Sequence, residues 1–111
     1  MKNKATHEPI ILEEPDYVPS INARLPSDNI KKAADGSELD LSNLDHMRHY
    51  HCNISSLLRL GEWFDYLREQ GVYDNTRIII VADHGFDLGQ FDYMKLSNGV
   101  NIETVNPLLL V

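Results

Sequence analysis

Arg77-Ile-Ile-Ile-Val-Ala-Asp-His-Gly85 is the stretch on which the reading of this chain turns. Ile78 to Ala82 form an unbroken apolar run, mostly β-branched, which suits a strand covered on both faces, as in a parallel sheet. The run stops at Asp83-His84. A carboxylate and an imidazole then sit at the carboxyl end of the strand, where open α/β sheets gather their ligands. A hard oxygen donor beside a nitrogen donor suits a divalent metal. Gly85 lets the backbone turn sharply straight afterwards. The blander reading is an aspartate that caps the next turn and a histidine in an ordinary hydrogen bond. The preceding strand is what favours a site.

Upstream of this stretch lies the clearest helix. Ser42 reads as its N-cap, with Asp45 three residues on in a capping-box-like pattern. Apolar residues recur from Leu44 through Met47, Tyr50 and Ile54 to Leu67 at spacings of three and four, a stripe long enough to cover a sheet. Gly71 is placed to end the helix in a left-handed conformation. Cys52 and Asn53 are poor helix formers and mark a possible interruption at His51 to Asn53. Downstream, Phe86 to Thr104 is a polar loop with an Asn98-Gly99 turn, and it forms the rim of any site at Asp83-His84. Val105 to Val111 reads as a second strand. Helix, buried strand, loop and strand make an α/β reading with parallel pairing.

Further toward the amino end, Glu13 to Asp40 is a long connection punctuated by Pro15, Pro19 and Pro26. Asp35-Gly36 is a strong turn signal there, and one short helix is expected near Asp28 to Ala34. At 111 residues, 42% hydrophobic and 24% charged, the chain suffices for one small domain with a modest core. A net charge of −7 disfavours a nucleic-acid partner, since no basic face is present to neutralise phosphates. The lone Cys52 allows no internal disulfide and reads as structural. Met1 to Glu8 is polar and does not read as a secretory signal, and no run approaches the roughly 20 apolar residues of a membrane helix. His46, His49 and His51 read as a solvated or rim-facing helix start. Trp63, Phe64 and Tyr66 read as packing residues. The sequence ends on an apolar residue of a strand, so the expectation is a piece of a larger catalytic domain.

The stretch from Leu60 to Gly85 resembles the carboxyl-terminal half of the sulfatase-like catalytic domain of the alkaline phosphatase superfamily. The resemblance lies in its order of helix, Asp74-Asn-Thr76, strand and Asp83-His-Gly85, and is greatest to bacterial phosphoglycerol transferases and lipoteichoic acid synthase-like proteins. Thr6-His-Glu-Pro9 resembles a second landmark of that domain. The resemblance implies a fragment of an alkaline phosphatase-like sandwich, mainly parallel strands covered by a long helix, spanning residues 1–111 with the amino-terminal half missing. It implies that Asp83 and His84 ligate a divalent metal (Mn, Mg or Zn) and that His7 contacts the substrate. That substrate would be an anionic phosphate or sulfate ester, such as a phosphoglycerol-bearing lipid or glycan. It also implies a membrane-anchored parent with an extracytoplasmic catalytic domain.

The Thr or Ser nucleophile of that family has no counterpart here, so no catalytic residue is assigned in this chain. The expectation is a fragment inactive alone that holds metal weakly or not at all, because two ligands fall short of the usual three or four. The rival expectation is a non-catalytic binding or assembly module that exposes a sheet edge and self-associates through it.

Overall fold

The computed structural model describes residues 9–23, 26, 28–89 and 92–111, and for Asp92 the backbone alone. His7 and most of the Thr6-His-Glu-Pro9 landmark lie outside the described residues. The chain divides into two compact units, Met1–Gly71 and Val72–Val111.

The first unit contains an antiparallel hairpin of β1, Ile30–Lys32, and β2, Glu38–Asp40, in the register Ile30↔Asp40, Lys31↔Leu39 and Lys32↔Glu38. The helix expected near Asp28 to Ala34 is therefore a strand. The reason is the turn that follows it. Gly36 takes a φ of +86°, and Asp35 accepts from the Ser37 amide and hydroxyl at 2.9 and 2.7 Å. This reverses the chain and brings Glu38–Asp40 back alongside.

Helix α1 runs unbroken over Leu44–Glu69. Its N-cap is Asn43, whose Oδ1 accepts the Asp45 amide at 2.7 Å; Ser42 instead donates its own amide to Asp40. The interruption at His51 to Asn53 is absent. Asn53 donates to the carbonyl of His49 at 2.9 Å and Ser56 to that of Cys52 at 2.8 Å, while His51 and Cys52 are buried. Packing overrides weak propensity there. Gly71, at φ +67°, ends the helix and donates to the Arg68 carbonyl at 2.9 Å.

Burial is concentrated on the first half of α1. Met47, His49, His51 and Cys52 are buried along with Leu12 and Leu41, whereas Leu57, Leu58, Trp63 and Tyr66 remain exposed. The segment 10–12 lies against the buried half. Ile10 donates its amide to Cys52 Sγ at 3.3 Å and accepts the thiol at 3.6 Å, and the Leu12 amide donates to His51 Nδ1 at 3.1 Å. Cys52 is thus buried in a structural role. The histidines differ from expectation: His49 and His51 are core residues, not a solvated helix start.

The second unit begins with a 3-10 turn, Tyr73–Asn75. Strand β3, Ile80–Val81, pairs antiparallel with β4, Leu109–Leu110, with Ile80 opposite Leu110 and Val81 opposite Leu109. Between them lie 3-10 turns at Asp92–Met94 and Ile102–Val105, and a small Lys95–Asn101 loop closed by the expected Asn98-Gly99 turn. The long buried strand expected over Ile78 to Ala82 is shorter, and Val81 is 68% exposed. A two-stranded ribbon cannot cover both faces of a strand. Helix and strand are mixed along the chain. The described strands form two separate two-stranded antiparallel sheets, where parallel pairing was expected.

Candidate functional site

Asp83 and His84 lie just past the carboxyl end of β3, separated from Val81 by Ala82 alone, in the second unit. Both are open to solvent, with side chains 87% and 61% exposed, and Asp83 Oδ1 lies 3.9 Å from His84 Nε2. Asp83 Oδ1 also accepts the His84 amide at 3.1 Å. His84 Nδ1 is 2.6 Å from the carbonyl oxygen of Gly85. A carbonyl only accepts, so Nδ1 carries a proton and donates it; in the neutral ring that puts the lone pair on Nε2, the nitrogen nearer Asp83.

This donor set fits a divalent metal in kind. An oxygen and a nitrogen each about 2.1 Å from an ion in tetrahedral array sit about 3.4 Å apart, so a small rotation of two exposed side chains closes the observed gap. In number the set is incomplete. No group of three or more His, Cys, Asp or Glu among the described residues is arranged to hold a metal, so the pair supplies two donors of the usual three or four.

Gly85 acts differently from the sharp turn expected of it. It is absent from the positive-φ positions. What requires glycine is close approach: a Cβ there would collide with the Glu103 carbonyl oxygen, and would lie 2.9 Å from the Glu103 carbonyl carbon. The Gly85 amide donates to the Thr104 carbonyl at 2.9 Å. Behind this contact the buried Glu103 accepts through Oε2 from the amides of Leu88 and Gly89 at 3.0 and 3.2 Å. Nothing in the sequence pattern marks Glu103, which reads as one more acid in a polar loop.

A second polar cluster belongs to the first unit. His51 is fully buried, and its Nε2 lies 3.4 Å from Glu14 Oε1, while Glu14 Oε2 lies 3.3 Å from Lys31 Nζ. Burial holds the His51 pKa below the ordinary imidazole value and the Lys31 ammonium pushes the same way, against the upward pull of Glu14. Burial also raises the Tyr17 pKa, helped by Tyr50 and Glu14. The Tyr17 ring meets His51 edge-on at 5.3 Å. The cluster ties the segment after Leu12, β1 and α1 to one another.

No family model matches the chain, and no solved structure matches it significantly. Among curated proteins it is similar to the multifunctional alkaline phosphatase superfamily protein PehA of Trinickia caryophylli, 35% identical over 79 residues. That alignment covers 68% of this chain and 15% of the relative, so the chain spans a small part of the length of the protein it matches. The similarity supports the alkaline phosphatase superfamily and no narrower family within it. No helix among the described residues is long and apolar enough to cross a membrane.

Proposed function

We propose that the chain is a carboxyl-side portion of a metal-dependent phosphoryl- or sulfuryl-transfer domain, with an alkaline phosphatase-like sandwich completed by sequence beyond it. The observation that carries this reading is the Asp83–His84 pair. Its Oδ1 and Nε2 lie 3.9 Å apart, and the Nδ1–Gly85 bond leaves Nε2 as the ring nitrogen available to a metal. Superfamily-level similarity to PehA supports the reaction class. Asp83 and His84 would hold one Mn, Mg or Zn ion. Such an ion neutralises charge on the transferring group and lowers the pKa of a nucleophile beside it. His7 would hydrogen-bond the phosphate or sulfate ester, favouring the charge of the transition state over that of the ground state. A phosphoglycerol-bearing substrate and a membrane-anchored, extracytoplasmic parent belong to the same proposal.

Mn²⁺ titration followed by nuclear magnetic resonance tests it. Signals of Asp83 and His84 are expected to broaden first, at weak affinity, and Asp83→Ala to abolish the effect. Broadening centred elsewhere, or none, overturns the reading.

A second reading is a non-catalytic assembly module, favoured by the β3–β4 ribbon. Val81 and Leu109 are 68% and 63% exposed and the strands pair only with each other among the described residues. An apolar ribbon of this kind invites a further strand. Sedimentation over a range of concentrations distinguishes it: self-association relieved by Val81→Lys supports the module, and a monomer at all concentrations removes it.

A further inference from the structure

We infer that Glu103 is a positioning residue for His84: it grips the loop whose Gly85 carbonyl selects the imidazole tautomer. The inference deepens the reading of Asp83 and His84 as metal ligands and rests on it. Burying a carboxylate is costly unless hydrogen bonds replace its water. Two of the bonds to Glu103 come from the loop after His84. Its Oε2 accepts from the backbone amides of Leu88 and Gly89, in the loop that leaves His84, and from Asn101 Nδ2 at 3.4 Å. Asn101 in turn reaches Asp87 Oδ1 at 2.6 Å and accepts the Glu103 amide at 3.0 Å. The side chain therefore closes residues 87–89 back onto the 3-10 turn Ile102–Val105.

The backbone of that turn completes the grip. Thr104 accepts the Gly85 amide at 2.9 Å, and the Glu103 carbonyl occupies the space a side chain on Gly85 would need. With the Gly85 amide and α-carbon held against residues 103–104, and residues 88–89 held by the Glu103 carboxylate, the intervening Gly85 carbonyl oxygen faces His84 Nδ1 at 2.6 Å. A partner at the second ring nitrogen is the usual device that fixes tautomer and ring orientation of a ligating histidine. Here the partner is a backbone oxygen, and Glu103 is what keeps it in place.

The test reads the imidazole nitrogen signals of His84 in the whole chain in mildly alkaline buffer, assigned by their loss in His84→Gln. The wild type is expected to show the Nδ1–H tautomer. Glu103→Ala should shift His84 toward the Nε2–H tautomer that free histidine favours and speed exchange of the Leu88 and Gly89 amides about tenfold or more. Glu103→Gln, which retains an acceptor oxygen, should restore most of the wild-type signature. A wild-type His84 in the Nε2–H form overturns the inference. So does a Glu103→Ala chain whose loop amides exchange faster while the tautomer stays put. Should Glu103→Ala not fold, Asn101→Ser loosens the carboxylate more gently: a partial tautomer shift supports the inference, and faster Leu88 exchange without one overturns it. Mn²⁺ added to the same samples separates the two ideas. Failure to broaden Asp83 and His84 sinks the metal reading alone, whereas an unmoved tautomer sinks the positioning role alone.

Discussion

The fully buried His51 faces the part-exposed Glu14 with Nε2 3.4 Å from Oε1, yet burial outweighs the carboxylate and lowers the imidazole pKa. Its Nδ1 is already used to accept the Leu12 amide, so a second proton would evict that donor. The pKa values of His51 and His49 are both lowered by burial from the ordinary 6.5. The folded chain therefore binds fewer protons than the unfolded one below that value. The stability these groups contribute is fully present above about pH 6.5 and is lost as pH falls through their folded values. Urea midpoints should drop between about pH 7.5 and about pH 5, and His51→Gln should flatten the slope.

Gly85→Ala tests close approach against turn-making. Since the added methyl meets the Glu103 backbone, the turn Ile102–Val105 must shift, at a cost of about 1–3 kcal/mol typical of overpacking. Amide shifts at Thr104 and Glu103 check it. A neutral substitution would show that the two segments separate freely.

Asp83→Ala and His84→Ala should scarcely alter stability, within about 0.5 kcal/mol, because both side chains are exposed. Thermal melts of the variants check this against their loss of Mn²⁺ response. Phosphodiesterase and sulfatase assays with Mn²⁺ or Zn²⁺ should give no turnover from this chain. Turnover that vanishes in Asp83→Ala would mean that the chain completes a site by itself.

Helix α1 predicts a gradient along its own length. Met47 is 3% exposed and Leu58 is 42% exposed. Met47→Ala should cost about 2–4 kcal/mol through the cavity it leaves, and Leu58→Ala about 0.5 kcal/mol or less. Denaturant titration of the two variants provides the comparison.

Signals that act over two to four residues were legible in the sequence. Asp35-Gly36, Asn98-Gly99 and the left-handed Gly71 all do what local chemistry requires of them. So does the adjacency that puts Asp83 beside His84 at a strand end. Pairing was not legible, because an apolar run does not name its partner. Ile78 to Ala82 suited a parallel sheet equally well, yet β3 meets β4 antiparallel. The strand Ile30–Lys32 reads as helix in the sequence because its mate lies beyond the turn. His51 looked like a surface residue because Leu12 and Glu14, which give it a reason to be inside, lie on a distant segment. Glu103 was missed for the same reason: the amides it holds are 14 and 15 residues away.

One continuous rod of 26 residues passes from a dry environment into a wet one. Its hydrogen bonds near Met47 and Cys52 are shielded, whereas those from Leu57 to Glu69 are close to water. On warming, the rod should unwind from the Glu69 end toward Cys52, so far-ultraviolet ellipticity should decay gradually before the edge-on contact of the Tyr17 and Tyr50 rings, 6.1 Å between centroids, reports any loss. Such a chain melts like a candle rather than like an ice crystal, and a single midpoint temperature would describe only its first half.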